Sequence, residues 1–332
     1  KKAGTEYALS TDTNIYEYNL ESGKTINRSE GNLGYDTAPQ FSPSGDLTWL
    51  QMKRDGYESD KNDLVVSFKG MTMNLTANWN GTVEQFMWSK DGRKVYFIAP
   101  IDGTRQLFEV NFPGMTKIAV QVRQISNGDF DVSDMIGFAG EDLIATRTDM
   151  NHAAEIFSYN VKKNTWKQLT NVNTATYASL QMGKVERRYV TTTDGKKMMV
   201  WVVLPPNFDA SKKYPTLLFC QGGPQSPLTQ SYSFRWNFQL MAANGYIVVA
   251  PNRRGMQGHG VEWNEQISKD WGGQVMNDYL SAIDDVAKES YVDKTRLGCV
   301  GASYGGYSVF YLAGIHKNRF KTFIAHDGVF NT

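Results

Sequence analysis

Two cysteines in 332 residues, Cys220 and Cys299, are too few for a disulfide framework, and neither lies in a CxxC pair or Cys/His cluster suited to a metal. Both end apolar, strand-like runs, where cysteine acts as a small buried hydrophobe. An excess of one charge is missing too. The chain carries 35 basic and 34 acidic residues, a net +1, so no global field favours nucleic acid or an anionic membrane as partner. No apolar run approaches the roughly 18 residues that span a bilayer. The opening KKAGTEYALS lacks the apolar segment of a signal peptide, so any export signal is expected to have been removed or never included. No metal and no organic cofactor is implied.

What is present is ample material for burial, 41% hydrophobic and 13% aromatic, in a chain long enough for two domains. The first part repeats itself. Strand-like pieces start at Ile15, Leu64, Leu107 and Ile156, and FSPSGDLTWL from Phe41, WSKDGRKVYF from Trp88 and FAGEDLIATR from Phe138 each set an aromatic before a polar turn and a strand. A period of about 40–50 residues with several short strands predicts β-propeller blades, about four of them, over residues 1–180. A β-sandwich with accidental self-similarity is the alternative.

From about Met182 the pattern changes. RRYVTTTDGKKMMVWVVLPPNF reads as a hairpin about Asp194-Gly195, closed by Pro205-Pro206. YPTLLFC and GYIVVAP are all-apolar runs of the kind buried on both faces of a mostly parallel sheet. Val275, Tyr279, Ala282, Ile283 and Val286 share one face of a helix. Strands alternating with helices predict an α/β domain over residues 181–332, the boundary falling within 171–184.

GASYGGY, from Gly301 to Tyr307, is the most informative segment of that domain. Gly-x-Ser-x-Gly after a buried strand (Arg296 to Val300) and before a helix is a nucleophile elbow, with Ser303 lifted clear of the sheet. Tyr307, Phe310, Tyr311 and Gly314 recur at helical spacing behind it. A serine needs a base, and an imidazole needs a carboxylate to fix its tautomer. The fold's order places both after the nucleophile. Beyond Ser303 come only Asp327, His316 and His326, and Asp327 is too close to His326 for separate loops. The sequence is therefore expected to stop before its triad is complete. His259 is a weak alternative base, while Asp278, Asp284 and Asp285 read as solvated helix-surface acids. Basic pairs such as Arg253-Arg254 read as solvated or locally paired.

The oxyanion of an acyl-transfer intermediate needs donors. The N–H of Tyr304 is one, and QGGPQS from Gln221 supplies the second from Gly222 or Gly223.

With these residues in hand, the chain resembles the prolyl oligopeptidase family of serine peptidases, in which a β-propeller caps an α/β-hydrolase domain. YPTLLFCQGGPQ, PNRRGMQGHG, DWGGQVMNDYLSAIDDV, VDKTRLGCVGASYGGY and AHDGVFN, within Tyr214 to Asn331, are similar to successive family blocks. The resemblance implies a partial propeller followed by a hydrolase domain without its C-terminal part. It implies Ser303 as nucleophile, an oxyanion hole of Tyr304 with Gly222 and Gly223, and Val329 and Phe330 at the start of a substrate pocket. Within the family it leans to the branch releasing dipeptides from the N-terminus of short peptides through an acyl-enzyme. Acylaminoacyl-peptidase or carboxylesterase activity, and a catalytically inactive binding protein, are the alternatives. A homodimer and a periplasmic or secreted location, with the cytoplasm as alternative, are further expectations. Two of the family's other branches, by the same resemblance, place a tyrosine where this chain has Gln221, so a main-chain N–H is the favoured donor. No Glu-Glu pair stands out to hold a substrate ammonium.

Overall fold

The computed structural model describes residues 5, 10–116 and 119–330. Its first part is a series of short antiparallel strands. A two-stranded ribbon, β1 (Tyr16–Tyr18) with β2 (Thr25–Asn27), comes first. Three four-stranded meanders follow: β3 (Asp36–Phe41), β4 (Leu47–Gln51), β5 (Asp63–Phe68) and β6 (Met71–Asn74); β7 (Gln85–Trp88), β8 (Lys94–Ile101), β9 (Thr104–Asn111) and β10 (Val122–Gln124); then β11 (Asp131–Ala139), β12 (Asp142–Asp149), β13 (His152–Asn160) and β14 (Thr165–Gln168). Each pairs only with its neighbours in sequence order, the form of a propeller blade.

The repeat seen in the sequence falls on equivalent strands. The segments at Leu64, Leu107 and Ile156 lie in β5, β9 and β13, the third strand of each sheet. The aromatic-turn-strand motif is the first hairpin of each blade. Its turns close by local chemistry: Gly45 and Gly92 donate to the carbonyls of Ser42 and Ser89 at 2.9 and 3.0 Å, and both take a positive φ that suits glycine.

The chain forms two compact units, 1–100 with 106–127, and 101–105 with 128–332. In the first, Trp49, Leu64, Val65, Phe97 and Leu107 are fully buried. Trp79 contributes edge-on contact to Phe97 at 5.3 Å.

The second unit contains the sheet β11–β14 and, after the short α1 (Thr174–Ala178), a six-stranded sheet. The latter comprises β15 (Val185–Thr191), β16 (Lys197–Val203), β17 (Tyr214–Cys220), β18 (Ile247–Pro251), β19 (Val292–Ala302) and β20 (Thr322–His326), in the order β15-β16-β18-β17-β19-β20. Pairing is antiparallel from β15 to β18 and parallel from β18 to β20. The hairpin about Asp194-Gly195 forms as the sequence predicts, Thr191 pairing with Lys197.

Helices α2 (Phe238–Ala243), α3 (Val261–Glu265), α4 (Gln274–Val286) and α5 (Tyr304–Ile315) complete this unit. The predicted face of α4, from Val275 to Val286, is buried. One apolar cluster joins α4 and α5 to Val200, Leu218 and Cys299; another joins Phe238 and Ala242 of α2 to Trp201, Val203 and Val248. The sheet is thus covered on both faces, which explains its unbroken apolar strands.

The face that α5 buries is not the one carrying Phe310 and Tyr311, and one expectation about α4 is corrected. On α5 the buried residues are Tyr304, Gly305, Gly306, Ser308, Val309 and Leu312, while Phe310 and Tyr311 are exposed. The helix packs by its small residues because backbone approaches there: a Cβ on Gly305 would lie 2.0 Å from the Cys220 carbonyl oxygen, and one on Gly306 2.5 Å from the Gly328 Cα. Nor is Asp278 a solvated acid. It is fully buried, and the Arg254 guanidinium reaches its Oδ1 at 2.6 Å. Asp284 and Asp285 lie at the surface of α4, paired with Arg319 and Lys288.

Candidate active site

Ser303 stands where β19 ends and α5 begins, and it is exposed while Tyr304, Gly305 and Gly306 behind it are buried. Its backbone is at φ 56°, ψ −124°, a conformation that L-residues avoid and that costs on the order of 1–3 kcal/mol. Two hydrogen bonds pin it there: its N–H donates to the His326 carbonyl at 3.0 Å, and its own carbonyl accepts from Tyr307 N–H at 3.0 Å. Gly301 permits the turn, since a Cβ there would sit 2.5 Å from the Gly305 oxygen and 2.7 Å from that of Cys220. This is the strained strand-to-helix corner that GxSxG encodes.

The loop after β17 lies against it. A Cβ on Gly222 would come within 3.6 Å of Ser303 Cβ and 3.0 Å of the Ala302 oxygen, so this backbone runs close against the serine and a side chain there would need the Ala302 carbonyl to give by a few tenths of an ångström. Gly223 has φ 119° and would crowd the nitrogens of Gln225 and Ser226 if substituted. Tyr304, the first residue of α5, has no carbonyl one turn back for its N–H to bond within the helix. Hence the sequence-predicted donors, Tyr304 with Gly222 and Gly223, lie at the serine or on the loop beside it.

Gln221, at the head of that loop, uses its side-chain amide locally and donates to Ser226 Oγ at 3.1 Å. Val329 is next to the elbow, its N–H 3.5 Å from the Ser303 carbonyl, and Phe330 is 86% exposed. Asn331 lies outside the described residues.

Arg253 is the residue that sequence reasoning missed. Read from the sequence as solvated or locally paired, it is fully buried and holds the loop from beneath. Its guanidinium donates to the carbonyls of Pro224 at 2.9 Å, Gln221 at 3.2 Å and Arg254 at 2.8 Å, and to Tyr279 Oη at 3.0 Å. It also lies 4.7 Å from the centroid of the Tyr304 ring. One cation therefore ties the loop after β17 to the first residue of α5. Arg254 is paired, with Asp278 and with Asp194 at 2.6 Å each. The arginine pair carried a weak signal: it follows an apolar strand directly, where a charge must find partners inside the fold.

No base is in place. Ser303 Oγ makes no hydrogen bond among the described residues. His326 Nε2 meets Asp327 Oδ2 at 3.0 Å, an exposed pair of adjacent residues, and the His326 ring lies edge-on to Trp236 at 6.0 Å. His259 is set among other groups. Its Nε2 is buried without a hydrogen-bond partner, burial lowers its pKa to about 4, and the charges acting on it are Asp102 and Arg187. No cluster of three or more His, Cys, Asp or Glu suited to a metal ion occurs among the described residues.

Residues 232–332 match the model of the prolyl oligopeptidase family. The whole chain aligns with Dipeptidyl-peptidase 5 of Porphyromonas gingivalis, 46% identical over 334 residues, and with that of Porphyromonas endodontalis, 48% identical over 336 residues. This chain belongs to the prolyl oligopeptidase family. It spans about half of those relatives' length, 48% of each. Among solved structures, acylaminoacyl peptidase of Pyrococcus horikoshii matches with a TM-score of 0.80 at 22% identity, covering 95% of this chain and 48% of that one. Dipeptidyl peptidase 4 of Porphyromonas gingivalis matches at 0.70 and 21% identity, covering 94% and 45%. At such identities the likeness is one of fold.

Proposed function

We propose that the natural protein is a serine exopeptidase that releases dipeptides from the free N-terminus of short peptides through an acyl-enzyme on Ser303. The observation that carries the reading is the strained, exposed Ser303 with the Gly222 backbone against its Cβ. In this reading the hydroxyl attacks the scissile carbonyl, and the tetrahedral oxyanion accepts hydrogen bonds from Tyr304 N–H and from Gly222 or Gly223 N–H. Each well-placed donor contributes about 10²–10³ in rate. Val329 and Phe330 begin the pocket for the residue before the scissile bond. A base and carboxylate for Ser303 are not in place among the described residues, and since the chain spans about half the length of the Dipeptidyl-peptidase 5 relatives, this reading takes 1–180 as part of a propeller and 181–332 as part of a hydrolase domain. A periplasmic or secreted location and a homodimer belong to the same reading.

The Dipeptidyl-peptidase 5 relatives favour the dipeptide register. The fold likeness to acylaminoacyl peptidase favours a second reading, removal of a blocked N-terminal residue. Hydrolysis of a chromogenic dipeptide amide by the natural-length protein, free or acetylated at its N-terminus, separates them. Turnover of the free amine alone supports the first reading, and turnover of the acetylated form alone supports the second. Ser303→Ala is expected to lower turnover by about 10⁶-fold with the fold retained; near-normal activity in that variant would refute both.

A further inference from the structure

A second site lies in the sheet β11–β14, away from the elbow in sequence but within the same compact unit. A cavity of about 450 Å³ opens there, its lining including Arg147, Asp149, His152, Glu155, Phe157 and Tyr177. That size suits a ligand of a few residues rather than an ion.

Arg147, on β12, stands directly opposite Glu155 on β13, an arrangement that ordinarily yields a cross-strand ion pair. No such pair forms. The Glu155 carboxylate is engaged elsewhere, by the Thr170 hydroxyl and by Asn173 N–H at 3.3 Å. The guanidinium is instead held in an aromatic box, 3.5 Å from the Phe130 ring centroid, 4.6 Å from Phe157 and 4.8 Å from Trp166. Among the described residues it makes no hydrogen bond and no ion pair, and its Nε is buried without a partner. Burial lowers its pKa to about 10. A planar cation fixed by three rings, with its N–H groups unused and a cavity in front of it, is built to receive an acceptor oxygen from outside the protein.

The remaining walls decide what carries that oxygen. Asp149 and Glu155 give the cavity two acids against one arginine, so a simple anion is disfavoured and a dipolar group is favoured. A peptide backbone, with its carbonyl dipoles and amino donors, meets that description. Thr148 of these walls and Met150 beside it contact the segment that follows the glycine loop: Tyr232 N–H lies 3.4 Å from Thr148 Oγ1, and Met150 N–H donates to Gln230 Oε1 at 3.1 Å. Gln230 and Tyr232 lie on the segment that runs from QGGP to α2.

We infer that Arg147 is a substrate-positioning residue that binds a main-chain carbonyl or carboxylate oxygen of a short peptide in the β11–β14 cavity. The inference rests on the peptidase reading, and its test is kept apart from it.

Binding of a free dipeptide and of its C-terminal amide is measured by calorimetry on natural-length protein carrying Ser303→Ala, with and without Arg147→Gln or Arg147→Lys. Loss of a hydrogen bond to a charged group predicts binding weakened by about 10–100-fold in Arg147→Gln and less in Arg147→Lys, with the melting temperature nearly unchanged. Equal affinity for acid and amide assigns the bound oxygen to a carbonyl; loss on amidation assigns it to a carboxylate. With Ser303 intact, Arg147→Gln raises KM and leaves kcat. Binding by Arg147→Gln equal to the parent, no binding by the parent, or a loss in both variants that tracks a fallen melting temperature overturns the inference. Absence of turnover in the parent refutes the peptidase reading instead, without touching the binding result.

Discussion

Replacing Arg253 with methionine, which fills similar volume without charge, tests how the glycine loop after β17 is held. The substitution deletes donors to Pro224 O, Gln221 O and Arg254 O inside a fully buried site. Each hydrogen bond to a charged group contributes about 1.5–3 kcal/mol, and each buried carbonyl left without a donor costs about 1–3 kcal/mol. These overlap, and removal of the arginine also relieves the desolvation of a cation that has no carboxylate within 4 Å among the described residues. A net destabilisation of about 3–5 kcal/mol is therefore expected, in line with other losses of one partner from a buried charged network. At about 2–4 °C per kcal/mol for a domain of this size, the melting temperature falls by about 10 °C. The catalytic effect is separate. Because Gln221 and Pro224 flank the two glycines, the loop loses its anchor on both sides, and kcat is expected to fall by about 10–10² while KM changes little. Arg253→Lys keeps the charge but not the fork and is expected to fall between. The assay is steady-state peptidase kinetics on natural-length protein below the variant's melting point, paired with thermal unfolding. Undiminished kcat in folded Arg253→Met would show that the loop holds its shape without the arginine and would refute the anchoring role.

Three further outcomes are expected. Gly305→Ala sets a Cβ 2.0 Å from the Cys220 carbonyl oxygen, so strand or elbow must move; loss of folded protein or of nearly all activity is expected. Gly314→Ala on the same helix meets nothing within 4 Å, and unfolding should show it neutral or stabilised by about 0.5–1 kcal/mol. Asp131, 1% exposed, has its pKa raised from 3.8 to about 6, burial outweighing the Arg105 charge and the N–H groups of Arg105 and Gln230. Since the folded value exceeds the unfolded one, the fold binds more protons between pH 4 and 6, and this contribution to stability is full below about pH 4 and lost as pH rises through about 6. Asp131→Asn should remove a pH-dependent difference of up to about 3 kcal/mol, read from unfolding at pH 4 and pH 7 against the parent. Identical pH slopes in the two proteins would refute the assignment.

The blades were legible because each repeats a local rule. An aromatic, a tight turn (Ser-x-x-Gly in the first two repeats, a looser Ala-Gly-Glu-Asp in the third) and a strand need no distant partner to declare themselves, and they recur in phase at β4, β8 and β12. The elbow was legible for a related reason: strand, turn and helix are contiguous, so seven residues hold the whole geometry. Sequence reasoning failed where the deciding partner is remote. The buried face of α5 is set by close approach to Cys220 and Gly328, 85 residues before Gly305 and 22 after Gly306, which the aromatic spacing that marks the helix does not disclose. Asp278 and Arg254 each look solvated alone and become a buried pair only once β18 and α4 are side by side. Arg253 gains its role from carbonyls of a loop some thirty residues upstream, and carbonyls leave no mark on side-chain identity. Arg147 shows the limit most sharply. Its natural partner is present directly opposite it on β13, and only side-chain positions reveal that Glu155 is committed to Thr170 and Asn173, leaving the guanidinium in its aromatic box for another ligand.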